Sequence, residues 1–149
     1  MAKFRFAMQN ILDIKQKLEE QAKANYGIAN RKYQEEQMKL QQLLIRRVGY
    51  EKQLKESMLG NLEVKKITNC RSDLSAIKTM IHRQMLQVHK AEAELEDARR
   101  KLNEIMQERK TYEKLREKAF IDFLNEMRAA ESKEIDELVS YSYNNKEEE

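Results

Sequence analysis

No proline interrupts this sequence and no tryptophan occurs in it; its 149 residues include three glycines and one cysteine. Each shortage excludes something. Without proline, the strongest helix breaker is missing along the whole chain. With a single cysteine, Cys70, no internal disulfide can form, and a reducing compartment is expected. No apolar run approaches the ~20 residues of a membrane span. The opening "MAKFRFAMQNILDIK" carries positive charge but no unbroken apolar stretch, so no secretory signal is expected there. A net charge of +3, from 29 basic and 26 acidic residues, is too near balance to argue for nucleic acid. What remains is rich in Leu, Lys, Glu, Gln, Met and Arg, all good helix formers. Acid–base pairs recur four apart in the favourable orientation: Glu19 with Lys23, Glu35 with Lys39, Glu51 with Lys55, Glu96 with Arg100, Asp97 with Lys101. High charge with regular apolar spacing is the mark of long or coiled helices rather than a compact core.

The second half shows the pattern most clearly. Ile67, Leu74, Ile81, Val88, Leu95 and Leu102 follow one another by sevens. Cys70, Ile77, Gln84, Ala91, Ala98, Ile105 and Tyr112 repeat the spacing three residues later. Such a heptad, sustained over about five to six repeats, predicts a coiled coil. It runs through the polar "TNCRSD" without a slip, so that segment belongs inside a helix. The break lies earlier, at Gly60-Asn61, where glycine suits a left-handed helix end and asparagine suits the next N-cap. The first half is helical but less regular. Phe4, Met8, Ile11, Leu18, Ala22 and Ala29 fall on one stripe, continued by Tyr33, Leu40, Arg47 and Leu54.

Folding the chain at residues 59–62 sets apolar positions against apolar positions: Leu54 against Ile67, Leu40 against Ile81, Tyr33 against Val88, Tyr26 against Leu95. A single straight helix would leave both stripes in water. The predicted fold is all-α: two long helices in an antiparallel coiled-coil hairpin, forming one domain over 1–149. Helix 1 is expected over about 3–58, the longer helix 2 over about 62–140, and a frayed tail over 141–149. The four phenylalanines, Phe4, Phe6, Phe120 and Phe123, gather at the terminal end, either to staple the termini together or to dock into another protein.

No constellation carries chemistry. There is no glycine-rich phosphate loop. His82 and His89 are seven apart, whereas chelation along a helix uses three or four. Cys70 reads as a packed thiol on the seam. Two helices are expected to offer no concave pocket of the kind an enzyme uses. The protein is expected to be no enzyme, with no catalytic, metal or cofactor-binding residue and no cofactor. The basic stretch from Arg99 to Lys118 is interleaved with acids and reads as a solvated face, or as a site for an acidic protein, rather than for nucleic acid.

Three segments in order carry a family likeness: "FRFAMQNILDIK" from Phe4, the mid-chain turn with "LEVKKITNCRSDLSAIKTMI", and "YEKLREKAFIDFLNEMRAAESKEIDEL" with Glu131, Lys133, Asp136 and Glu137. Over nearly its whole length the chain resembles the FliJ family of flagellar type III export proteins. The resemblance implies a coiled coil like the central stalk of rotary ATPases, binding a hexameric export ATPase and promoting its assembly or activity. It further implies links to the cytoplasmic part of a membrane export gate and to export chaperones. Its location would be cytoplasmic, peripheral at the inner face of the membrane at the flagellar base. The ATPase contact would fall on Phe4, Phe6, Phe120, Phe123 and Met127. The gate contact would fall on Asp73, Ile77, Met80 and Gln84, although Asp73 and Gln84 depart from the apolar or histidine character such a face is expected to have. Two other classes fit the same residues: a purely structural coiled-coil scaffold, and a holdase-like hairpin for unfolded clients with no ATPase partner.

Overall fold

The computed structural model describes residues 3–147. Among them are two helices, α1 (Gln9–Ser57) and α2 (Val64–Glu147), and no strand. The predicted all-α fold with a longer second helix is what is found. The chain divides into two compact units, one of Glu20–Asn103 and one of Met1–Glu19 with Glu104–Glu149.

Within Glu20–Asn103 the chain makes a helical hairpin. Leu74, Ile77 and Ile81 of α2 form its core, with Leu40, Leu43, Tyr50 and Leu54 of α1 packed on them. The spacing of three and four residues on both sides is what a two-helix seam demands. Of the α2 heptad read from the sequence, Leu74, Ile77, Ile81, Ala91 and Leu95 are buried here, and Ile67, Cys70, Gln84, Val88 and Ala98 are half-buried. Ion pairs line the flanks: Asp97 takes Lys101 at 3.1 Å, whereas Lys39 turns to Glu36, Glu51 to Arg47 and Glu96 to Arg99.

The break between the helices is where the sequence put it, but its construction differs. No described residue has positive φ, Gly60 included. The end of α1 is instead tightened by bonds three residues apart, Met58 N–H to Lys55 C=O and Leu59 N–H to Glu56 C=O. The next helix is capped at Glu63, not Asn61: its carbonyl accepts from Ile67 N–H at 3.1 Å. A Cβ built on Gly60 meets nothing within 4 Å. Gly60→Ala is therefore expected to hold stability or raise it by up to about 1 kcal/mol, through the unfolded chain. Urea denaturation checks this; a clear loss would mean that the turn needs glycine's left-handed backbone.

In the other unit three expectations are corrected. First, α1 begins at Gln9 rather than near residue 3. Residues 3–6 are non-helical and a turn at Ala7 and Met8 leads into the helix. Phe4 packs its ring edge-on to Phe120, at 5.2 Å, and at 5.5 Å from Phe123. Such aromatic contacts exceed what a frayed helical turn supplies. Second, the stripe facing α2 is not Ile11 and Leu18, which are each 40% exposed, but Leu12, at 2%, and Glu19, at 6%. Counting back by sevens from Tyr33 gives Tyr26, Glu19 and Leu12, a repeat masked by the charge on Glu19. Third, α2 remains helical to Glu147, so the tail expected to fray is ordered helix as far as it is described. Helix bonds are local and the segment holds no proline or glycine. The last two residues of that expected tail, and the first two of the chain, lie outside the described residues.

Candidate partner interfaces

The terminal end is assembled from three pieces. The Phe4 segment crosses α2 where Phe120 and Phe123 recur on one face. Phe120 stays 43% exposed while Phe4, Phe6, Phe123 and Met127 are half-buried. Beside the rings lies a cleft of about 420 Å³, walled by Phe4, Leu12 and Phe120 and rimmed by Gln16, Glu113, Arg116 and Glu117. Phe4, Phe120 and Phe123 thus tie the N-terminal segment to α2 and still leave an apolar edge open.

Deeper in this unit the seam turns ionic. Arg109 bridges the near-fully buried Glu19 on α1, and it takes Glu113 at 2.8 Å on its own helix. Glu113, and then Glu19, hold the Arg109 pKa above its ordinary value against the opposing effect of burial. Next to it Lys15 gives a hydrogen bond to Glu108 at 2.7 Å, which raises the lysine pKa. This polar layer was not read from the sequence. A charged residue at a seam position breaks the apolar count, and only the seven-residue spacing back to Tyr33 would have revealed it.

Past Met127, α2 has no packing partner: every described residue from Arg128 onward is exposed. Yet Ile135, Leu138, Val139, Tyr141 and Tyr143 sit there among Glu131, Glu134, Asp136 and Glu137.

The four residues linked by resemblance to a gate contact do not share one surface. Ile77 is 1% exposed, in the core. Gln84 points into the seam, its amide donating to the backbone carbonyl of Glu36 at 2.9 Å and to the Glu36 carboxylate. That bond holds the Glu36 pKa below its usual value, against burial and with help from Lys39. Asp73 and Met80 remain exposed. Cys70 is half-buried beside the turn, in a polar cleft of about 510 Å³ with Gln53, Ser57 and Asn69. Among the described residues no group of His, Cys, Asp and Glu is placed to hold a metal ion. No described helix is long and apolar enough to cross a membrane.

The family described as "Flagellar FliJ protein" matches this chain over residues 4–148. Neither the curated proteins nor the solved structures contain a significant match to it.

Proposed function

We infer the function from one premise: the chain belongs to the flagellar FliJ protein family, and it is thereby a component of flagellar protein export. The family is a non-catalytic part of that machinery. We place the protein at the export ATPase, a hexameric ring, with the terminal end as the contact. The observation that carries this reading is the unpartnered end of α2. It is ordered helix with exposed Ile135, Leu138 and Val139, adjoining the half-open phenylalanine cluster. A surface of that kind stays in water at a cost unless a partner covers it.

The mechanism is one of unequal contact. A two-helix element inside a six-fold ring cannot touch all six subunits alike. Subunits that it touches differently are biased toward different conformations, which is what allosteric coupling requires. Links to the export gate and to export chaperones belong to the same proposal. For the gate, the exposed Asp73 and Met80 are the residues free to take part; Ile77 and Gln84 are committed to the seam. The location follows as peripheral, at the flagellar base.

The test is the turnover rate of the cognate export ATPase titrated with this protein. Stimulation is expected with the native chain, and its loss with Phe120→Ala/Phe123→Ala. Because those rings also hold Phe4, Leu138→Ala/Val139→Ala is the companion variant, with no packing to lose. Unchanged turnover at saturating native protein overturns the reading and leaves the scaffold or holdase class standing.

A further inference from the structure

The turn between the helices carries more apolar surface than a turn in water needs. Met58, Leu59, Leu62 and Val64 fall within seven residues and are 47–80% exposed. Turns are ordinarily built from Gly, Asn, Asp, Ser and Pro. None of the four side chains belongs to the hairpin core. The cleft of about 510 Å³ beside them is lined by Gly60, Cys70 and polar side chains, and it takes in none of them. They form a projecting knob rather than a groove.

Positive charge gathers at the same end of the hairpin. From Leu40 to Ile81, eight basic residues stand against four acidic ones, a net +4. The rest of the chain holds 21 basic and 22 acidic residues, a net −1. Two of the four acids are already engaged, Glu51 by Arg47 and Glu63 by Lys66. That leaves Glu56 and Asp73 against Arg46, Lys52, Lys55, Lys65, Arg71 and Lys78, all exposed and none ion-paired among the described residues. The start of α2 adds a second observation. A helix N-terminus carries partial positive charge and favours acids. The first turn of α2 has no acid and holds Lys65 and Lys66 instead. Glu63, just ahead of it, answers Lys66 at 3.4 Å, and no carboxylate answers Lys65. A surface of anions would relieve the repulsion between these cations and the helix end.

We propose that the turn, Met58–Val64, docks this protein on an anionic bilayer surface. The aliphatic side chains enter the boundary between headgroups and acyl chains, while the lysines beside them stay level with the lipid phosphates. Lys52, Lys55, Lys65 and Arg71 stand within about two helical turns of the loop, roughly 10 Å, over which surface charge still acts. A nucleic acid would answer the cations and leave the aliphatic side chains in water. A protein would need a pocket shaped to the knob; a bilayer needs none. This contact deepens the peripheral location proposed above, and it is carried by residues 40–81 without the ATPase.

The experiment is co-sedimentation of the full-length protein with lipid vesicles, with no ATPase present. Binding is expected to vesicles of phosphatidylglycerol and phosphatidylcholine in equal parts, not to phosphatidylcholine alone, and it should weaken as salt is raised. Lys55→Glu/Lys65→Glu and, separately, Leu59→Ser/Leu62→Ser should each lower the partition coefficient roughly tenfold. Lys114→Glu/Lys118→Glu makes the same change in net charge outside the hairpin and should bind as the native chain does. All these side chains are exposed, and circular dichroism verifies that the variants stay helical. The chain has no tryptophan, so Leu59→Trp supplies a single reporter whose emission should shift to the blue on the anionic vesicles. A native chain that stays in the supernatant at low salt overturns the proposal, and a turn that serves another protein gives that result. Equal losses in the two charge-reversed variants overturn it too, because they report net charge rather than this site. So does an unshifted tryptophan, which means adsorption without entry of the turn. A failed ATPase assay leaves vesicle binding untouched, so the two readings fail separately.

Discussion

Arg109→Leu will lower the thermal midpoint of unfolding by roughly 5 °C or more. It removes the cation that meets Glu19 across the helix seam, and Glu19 is 6% exposed. Taking a carboxylate out of water is costly, and the attraction of a nearby guanidinium is what offsets it. Removing the guanidinium leaves the cost and takes away the part of the compensation that crosses the seam. The double variant Glu19→Leu/Arg109→Leu behaves differently, because it deletes both. It should return to the native midpoint or pass it, with the two substitutions strongly non-additive. Lost with the pair is a polar rung that permits only one alignment of the helices. Leucine at both positions packs almost as well one heptad away, so the register should loosen even as the melting temperature recovers. Thermal denaturation of the two single variants and the double variant tests this. Additive single effects would mean that Arg109 and Glu19 act independently.

The second large effect is expected at Ile77. Truncation to alanine leaves a cavity at a site 1% exposed, between Leu74 and Ile81, and should cost about 3 kcal/mol in urea denaturation. Met80→Ala, three residues on and exposed, should stay within about 0.5 kcal/mol. The contrast bears on the gate as well as on stability. A loss of gate binding in an Ile77 variant would report a weakened seam, whereas a loss in a Met80 or Asp73 variant would report contact. Equal destabilisation at Ile77 and Met80 would mean that the hairpin buries a different face of α2 from the one described.

Most of the hairpin was legible because α2 keeps a strict seven-residue rhythm from Ile67 to Tyr112, and rhythm is what a two-helix seam imposes. The turn was legible from Gly60-Asn61, just ahead of the point to which the α2 heptad runs back without a slip. Its geometry was not, since a glycine in a sequence does not reveal the sign of its φ. In α1 the eye follows hydrophobicity, and hydrophobicity led to Ile11 and Leu18. The true seam there runs through Leu12, Lys15, Glu19 and Ala22, where two of four residues are charged. Charges at a seam are tolerated when they find each other across it, and that pairing is a fact of three dimensions. The phenylalanine cluster was legible as a coincidence of position at the two chain ends. Its edge-to-face arrangement, and the helical turn surrendered to reach it, were not. The gate residues came through resemblance alone, and so Ile77 and Gln84, which the fold uses internally, stood among them.

The separation in sequence between partners grows from the turn toward the ends: 48 residues for Gln84 and Glu36, 62 for Lys32 and Glu94, 93 for Lys15 and Glu108. Closing a longer loop costs more chain entropy, though the increment is small once the loop is already long. The cheapest first contacts are those beside the turn, and each one formed shortens the effective loop for the next. The chain should therefore zip from the turn outward, with the Phe4 segment seating on Phe120 and Phe123 as the closing step. Unfolding runs the same route backward, so the end assigned to partners is the last part of the molecule to form and the first to open.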